Sequence, residues 1–130
     1  MVSFGYTIYY VPDVAATLSF FETAFGMTRR FITDEGDYGE LVTGSTVLAF
    51  ASHELGHANL PQGYVAASAS DTPLGIEIAL VTDDVQQVHE AALEQGATEL
   101  AAPVSKPWGQ VVSYVRSPEG ILLELCTPIT

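Results

Sequence analysis

The feature that most constrains this chain is an internal echo: "IYYVPDV…FG" in the first half and "IALVTDDV…QG" in the second. The two lie about seventy residues apart, and a period of that size with matching punctuation indicates a duplicated supersecondary module, not a solenoid repeat. In the first copy, residues 3–11 are β-branched and aromatic, as a strand requires. Asp13 is placed to N-cap a helix in which Val14, Leu18, Phe21 and Phe25 share one face, and Gly26 supplies the left-handed stop. Strands are expected at 28–33, 38–43 and 46–52, separated by the turn signals "DEGD" and "TGS". In the second copy, 74–82 is a strand. Asp83 or Asp84 caps a helix with Val85, Val88 and Ala92 on one face, and Gly96 ends it. A short strand near 97–101, a Pro-bounded loop, and strands at 109–116 and 121–126 around "SPEG" complete it. The chain therefore reads as α+β: two βαβββ modules in a single domain over residues 1–130. Module one covers about 1–52, a connector without sustained periodicity covers 53–73, and module two covers 74–130.

Charge then narrows the partners. Sixteen acidic residues against four basic ones give a net charge of −12, which opposes a phosphate backbone and an anionic membrane surface. No apolar run reaches the ~20 residues of a spanning helix, and the N-terminus lacks a secretory pattern, so a cytoplasmic location is expected. Cys126 lies in the last apolar run, where a buried inert thiol is the ordinary reading.

Two carboxylates break the pattern of the core strands. In 121–126, Leu122, Glu124 and Cys126 share one face; in 76–81, Glu77, Ala79 and Val81 do the same. Both strands are otherwise apolar on both faces. A carboxylate buried alone costs several kcal/mol, roughly, unless something offsets it. Either each glutamate meets solvent where its strand leaves the core, or the two faces line one cavity. In the second case Glu77 and Glu124 could hold a hard divalent metal. Without a metal, mutual repulsion would drive one of them towards its neutral form and make a proton-transfer group.

The duplicated plan, "YYVPDVAATLSFFETAFGM" and above all "KPWGQVVSYVRSPEGILLELCTP" resemble the vicinal-oxygen-chelate superfamily of glyoxalases, extradiol dioxygenases and bleomycin-resistance proteins. The resemblance covers nearly the whole chain. It implies two βαβββ modules forming a curved open-barrel sheet, commonly completed as a homodimer, and one metal ligand from each of four strands. By that resemblance Glu124 stands at the last metal carboxylate and is the candidate catalytic group. Glu77 and Tyr6 stand where histidine is usual, and the fourth position falls near Ala49, which cannot bind a metal. Two functions follow from the resemblance. One is a small-molecule lyase or dioxygenase dependent on a divalent ion (Ni, Zn, Mn or Fe) held by Glu77 and Glu124. The other is a metal-free binding protein that sequesters its ligand.

The remaining motifs bear on the ligand. "HELGH", His53–His57, matches the zinc-protease pattern formally, but a β-run precedes it, Gly56 interrupts it and Pro61 soon follows. The histidines are read as loop residues, with His53 close enough to the expected cavity to touch a ligand. Trp108 offers a flat apolar wall to the pocket, and Tyr6 a phenol. No dinucleotide, Walker, CxxC or nucleophile-elbow motif occurs.

Overall fold

A computed structural model describes residues 1–129. The backbone forms two compact units, one spanning Met1–Ala66 and the other beginning at Ala67. Each contains a four-stranded mixed sheet with a helix on one face.

In the first unit, β1 (Tyr6–Val11) leads into α1 (Val14–Phe25). The Asp13 side chain accepts from the Ala16 amide at 3.1 Å, and Gly26 at φ 67° lets its N–H return to the carbonyls of Phe21 and Glu22. Three strands follow: β2 (Arg29–Ile32), β3 (Tyr38–Leu41) and β4 (Val47–Ser52). They are ordered β1-β4-β3-β2, with β1 parallel to β4 and the other pairs antiparallel. Helix α1 buries Val14, Leu18 and Phe21 against one face of this sheet. There Phe21 meets Phe50 with ring centroids 5.2 Å apart. Gly39 permits the approach, since a Cβ there would stand 2.6 Å from Leu18 Cδ1.

The connector departs from expectation. "HELGHAN" is helical, forming α2 (His53–Asn59), and Ala67–Ala69 make one 3-10 turn. Ser52 Oγ caps α2 by accepting from the Leu55 amide at 3.1 Å. A seven-residue helix containing a glycine shows no hydrophobic period, which is why the pattern hid it. Gly56 is needed: Tyr64 lies across it, stacked on Tyr10 with centroids 4.8 Å apart and on His57 at 5.0 Å.

The second unit repeats the plan: β5 (Glu77–Val81), α3 (Val85–Glu94), β6 (Thr98–Ser105), β7 (Val111–Arg116) and β8 (Leu122–Cys126), ordered β5-β8-β7-β6. Asp84 is the residue that caps α3, accepting from the Gln87 amide at 3.1 Å. Strand β6 runs on through Pro103 instead of stopping at 101. It is an edge strand with a register shift between Ala101 and Val104, a place where the missing proline N–H breaks no ladder bond. Beneath α3, His89 is 1% exposed; its Nδ1 lies 2.9 Å from Ser113 Oγ and its Nε2 2.7 Å from Glu99 Oε2. This polar tie between helix and sheet is satisfied at both nitrogens, as burial demands.

The "SPEG" turn is fastened from two sides. Ser117 Oγ accepts from the Ile121 amide at 3.0 Å. Arg116 donates to the carbonyls of Gly120, Asp71, Ala67 and Ser70, at 2.8–3.2 Å. Gly120 takes φ 92°, and a Cβ there would collide with the Ala67 carbonyl. The turn that starts β8 is thereby locked, and with it the position of Glu124.

Candidate functional site

Register determines which side chains share a surface. Parallel pairing sets Ala79 against Glu124 and Glu77 against Leu122; antiparallel pairing sets Tyr114 against Glu124 and Val112 against Cys126. Glu77 and Glu124 are therefore diagonal neighbours on the sheet face turned away from α3, within reach of long side chains. Tyr114 stands beside Glu124 in the same row. Its hydroxyl donates to Glu124 Oε1 at 2.9 Å.

Of the two alternatives for these carboxylates, Glu77 meets solvent, whereas Glu124 is only partly exposed. Glu77, Ala79 and Val81 are exposed, while Glu124 is half-buried and Cys126 buried. The apolar Ala79 and Val81 continue onto that exposed face. This exposure gradient separates the two carboxylates chemically. Glu77 is raised from 4.5 to about 6, first by its hydrogen bond to Glu124, then by desolvation and by the Glu124 charge. For Glu124, desolvation pushes upward, but the bonds from Glu77, Tyr114 and Cys126 and the positive Lys106 outweigh it, so its pKa is lowered. Tyr114 rises to about 12, chiefly because its proton is held by Glu124. The Cys126 thiol is pushed up by burial and then by Glu124, so it is no nucleophile at neutral pH. Below about pH 6 the acidic pair thus holds one proton, carried on Glu77 and donated to Glu124. Above it the face carries two negative charges on partly desolvated strands. Such a pair can take up a proton, or bind a cation or a hydrogen-bond donor.

The other expected residues stand on other elements, two of them in the first unit. Trp108 stands on the β6–β7 turn, 65% exposed, its indole N–H donating to Gln110 Oε1 at 2.7 Å. Tyr6 is on β1 in the first unit and is largely exposed. His53 begins α2; its Nδ1 lies 2.6 Å from the Tyr64 hydroxyl, and its Nε2 is buried without a partner. Burial first, and then the neighbouring His57, lowers its pKa, so the ring is neutral.

The metal pattern can be tested by comparing the modules with each other. Tyr6 pairs with Val47 and Ile8 with Ala49, the same spacing by which Glu77 pairs with Leu122 and Ala79 with Glu124. The four corresponding positions are thus Tyr6, Ala49, Glu77 and Glu124: one phenol, one methyl group and two carboxylates. Ala49 is fully buried and offers no donor atom. Among the described residues no group of three or more His, Cys, Asp or Glu side chains is arranged to hold a metal ion. This donor set does not fit a four-strand metal centre.

Sequence reading passed over two residues of these faces. Tyr114, in the penultimate strand, is the hydrogen-bond donor to Glu124. Glu40 pairs across the ladder with Ala49 and is 6% exposed. Its signal was present in "YGEL", where period two puts Tyr38 and Glu40 on one face.

Comparison with solved structures finds the same fold at low identity. A glyoxalase-related enzyme from Fulvimarina pelagi superposes with TM-score 0.81 at 17% identity, over 98% of this chain and 89% of that one. A glyoxalase/bleomycin resistance protein/dioxygenase family enzyme from Burkholderia phytofirmans PsJN gives 0.76 at 17%, over 96% and 97%. A glyoxalase/bleomycin resistance protein/dioxygenase from Nocardioides gives 0.72 at 16%, over 98% and 83%. Comparison with curated proteins returns no match. With two βαβββ modules in place, and with the family profile matching residues 3–125, the chain belongs to the Glyoxalase/Bleomycin resistance protein/Dioxygenase superfamily.

Proposed function

We propose that this protein binds a small molecule on the Glu77–Glu124 face without a metal, and that the acidic pair holds a cationic or hydrogen-bond-donating group of the ligand. The observation that carries this reading is the pair itself. Two carboxylates and a tyrosine converge on one sheet face, while Ala49 leaves the corresponding position of the other module without a donor. Two negative charges side by side are unfavourable in the free protein. A ligand cation relieves that repulsion, and the relief adds to affinity. Lys106 is the basic group whose charge reaches Glu124, so the face remains net acidic. The apolar Ala79 and Val81 beside Glu77 supply contact for the hydrocarbon part of a ligand.

The test is an NMR titration of the protein with benzylammonium chloride at pH 7.5. Saturable shifts on β5, β7 and β8 are expected, with affinity at least tenfold weaker in Glu77→Gln. An unchanged affinity in that variant would remove the pair as the anchor.

A further inference from the structure

Helix α2 is weakly anchored by its own sequence. Of its seven residues only Gly56 is buried, and a helix this short does not persist without packing. It rests on β1 and β4, and Tyr64 fastens it there. The turn "LPQG" brings Tyr64 back across the helix. Pro61 takes the second position of that turn, the Gly63 amide donates to the Leu60 carbonyl at 2.8 Å, and Gly63 adopts φ 82°. Tyr64 then makes three contacts. Its ring stacks on Tyr10 of β1 and on His57 of α2, and its hydroxyl meets His53 Nδ1 at 2.6 Å.

The bond to His53 is the charge-sensitive one of the three. Burial first, and then Tyr10, raises the Tyr64 pKa, so the hydroxyl keeps its proton and donates to Nδ1. A ring that accepts at Nδ1 is neutral and carries its proton on Nε2, which is buried without a partner. A second proton would occupy the acceptor nitrogen and place a full charge where one N–H is already unpaired. The elements around the ring supply no counter-charge. Strand β4 carries no ionisable side chain, and β1 carries only the phenols of Tyr6, Tyr9 and Tyr10. On α2 the other ionisable groups are Glu54 and His57. Glu54 lines a neighbouring pocket with Glu35 and Asp37 of the β2–β3 turn. Among the described residues the one histidine with a carboxylate within 4 Å is His89, so none of these acids reaches His53.

We infer that the His53–Tyr64 pair is an acid-released latch: neutral His53 holds α2 and residues 60–66 closed on β1, and protonation of the ring frees them. Release breaks the hydroxyl bond and uncovers the Tyr10 ring. The direction follows from the closed-state ring, whose pKa is lowered from 6.5 first by burial and then by His57. The latch is therefore complete above the ordinary histidine value and is lost as pH falls through the lower, closed-state one. Segments with few buried contacts are the ones that open locally while the rest of a domain stays folded.

The experiment is amide hydrogen exchange by NMR at pH 7.5 and 5.5, expressed as protection factors so that the intrinsic pH dependence of exchange is removed. The reporters are the amides of Leu55, bound to Ser52 Oγ, and Leu60, bound to the Gly56 carbonyl; Thr17 and Gly26 of α1 are the reference. Protection at the reporters should fall roughly threefold or more at pH 5.5 while the reference holds. The fall should follow the titration of His53 in side-chain ¹⁵N spectra. His53→Asn keeps an acceptor for Tyr64 but cannot gain a charge, and should leave α2 equally protected at both pH values. Tyr64→Phe keeps the ring and removes the bond, and should lower α2 protection at pH 7.5; unchanged protection there would count against the latch. Wild-type protection independent of pH, an acid loss that survives in His53→Asn, or one that tracks His57 would overturn the inference. Should His53→Asn itself unfasten α2, the wild type still decides: unequal midpoints for His53 titration and α2 opening would rule the latch out.

Discussion

Replacing Glu124 by glutamine is the perturbation that bears most directly on the acidic pair. Glutamine keeps the shape and can still accept from Tyr114, but it removes the charge that Glu77 meets. The raised pKa of Glu77, about 6 against 4.5, rests mainly on Glu124. In Glu124→Gln the Glu77 carboxyl should therefore titrate well below 6, towards the ordinary glutamate range, with only its desolvation still raising it. At 1.36 kcal/mol per pKa unit the unscreened effect is about 2 kcal/mol. Glu77 is exposed, so solvent screening reduces this to about 0.5–1 kcal/mol. Because the folded-state pKa of Glu77 lies above its unfolded value, its favourable contribution is complete below pH 4.5 and is lost as pH rises through about 6. Glu124 behaves oppositely: its lowered pKa contributes above the ordinary carboxylate range and is lost in acid. At pH 7.5 relief at Glu77 acts against loss of the Glu124 contribution, so the substitution should be more favourable there than near pH 5 by about 2–4 °C in Tm in a domain of this size. Near pH 5 it should be neutral or slightly destabilising, because the charge-assisted bond from protonated Glu77 to Glu124 is gone. Carboxyl ¹³C titration together with melts at the two pH values measures both effects. A Glu77 titration still centred near pH 6 in the variant would refute the coupling and leave local desolvation as the cause. So would a Tm difference independent of pH.

Two glycines make structural claims that calorimetry can check. Gly120→Ala combines a left-handed backbone with a Cβ driven into the Ala67 carbonyl, and should cost about 3 kcal/mol or more. A loss under about 1 kcal/mol would mean that the "SPEG" turn is not locked as described. Gly56→Ala places a Cβ 2.6 Å from the Tyr64 hydroxyl, which is already engaged by His53. The expected loss is about 1–2 kcal/mol, despite alanine's better helix propensity. It should be relieved when Tyr64 is also replaced by alanine, and strict additivity of the two changes would contradict the contact.

Much of the fold was legible because its signals are local. Asp13, Gly26 and the 14–18–21–25 stripe define α1 without help from the rest of the chain, and the echo "IALVTDDV" carries the same plan into the second half. That Glu77 and Glu124 each interrupt an apolar strand was also readable, while the parallel direction of the β5–β8 pairing was not. What escaped depended on tertiary context. Helix α2 exists through a cap from Ser52 and a tyrosine lying across Gly56, and neither leaves a periodic trace. Pro103 reads as a strand stop, and it is tolerated because β6 is an edge. Exposure of the Glu77 face could not be inferred from alternation, which reports that two faces differ and not which one a helix covers. Glu40 was missed because a glutamate in a four-residue strand between turns looks like a surface residue. Its burial comes from cross-strand neighbours on β2 and β4.

The measurement that tests the central claim most directly is the benzylammonium titration at pH 7.5 run twice, once in excess EDTA and once with Ni²⁺, Zn²⁺, Mn²⁺ or Fe²⁺ added in turn. Metal-independent recognition by the acidic pair predicts the same saturable shifts on β5 and β8 in EDTA, and equal or weaker binding with a divalent ion that competes for the carboxylates. Binding that is absent in EDTA and restored by one of these metals would contradict it.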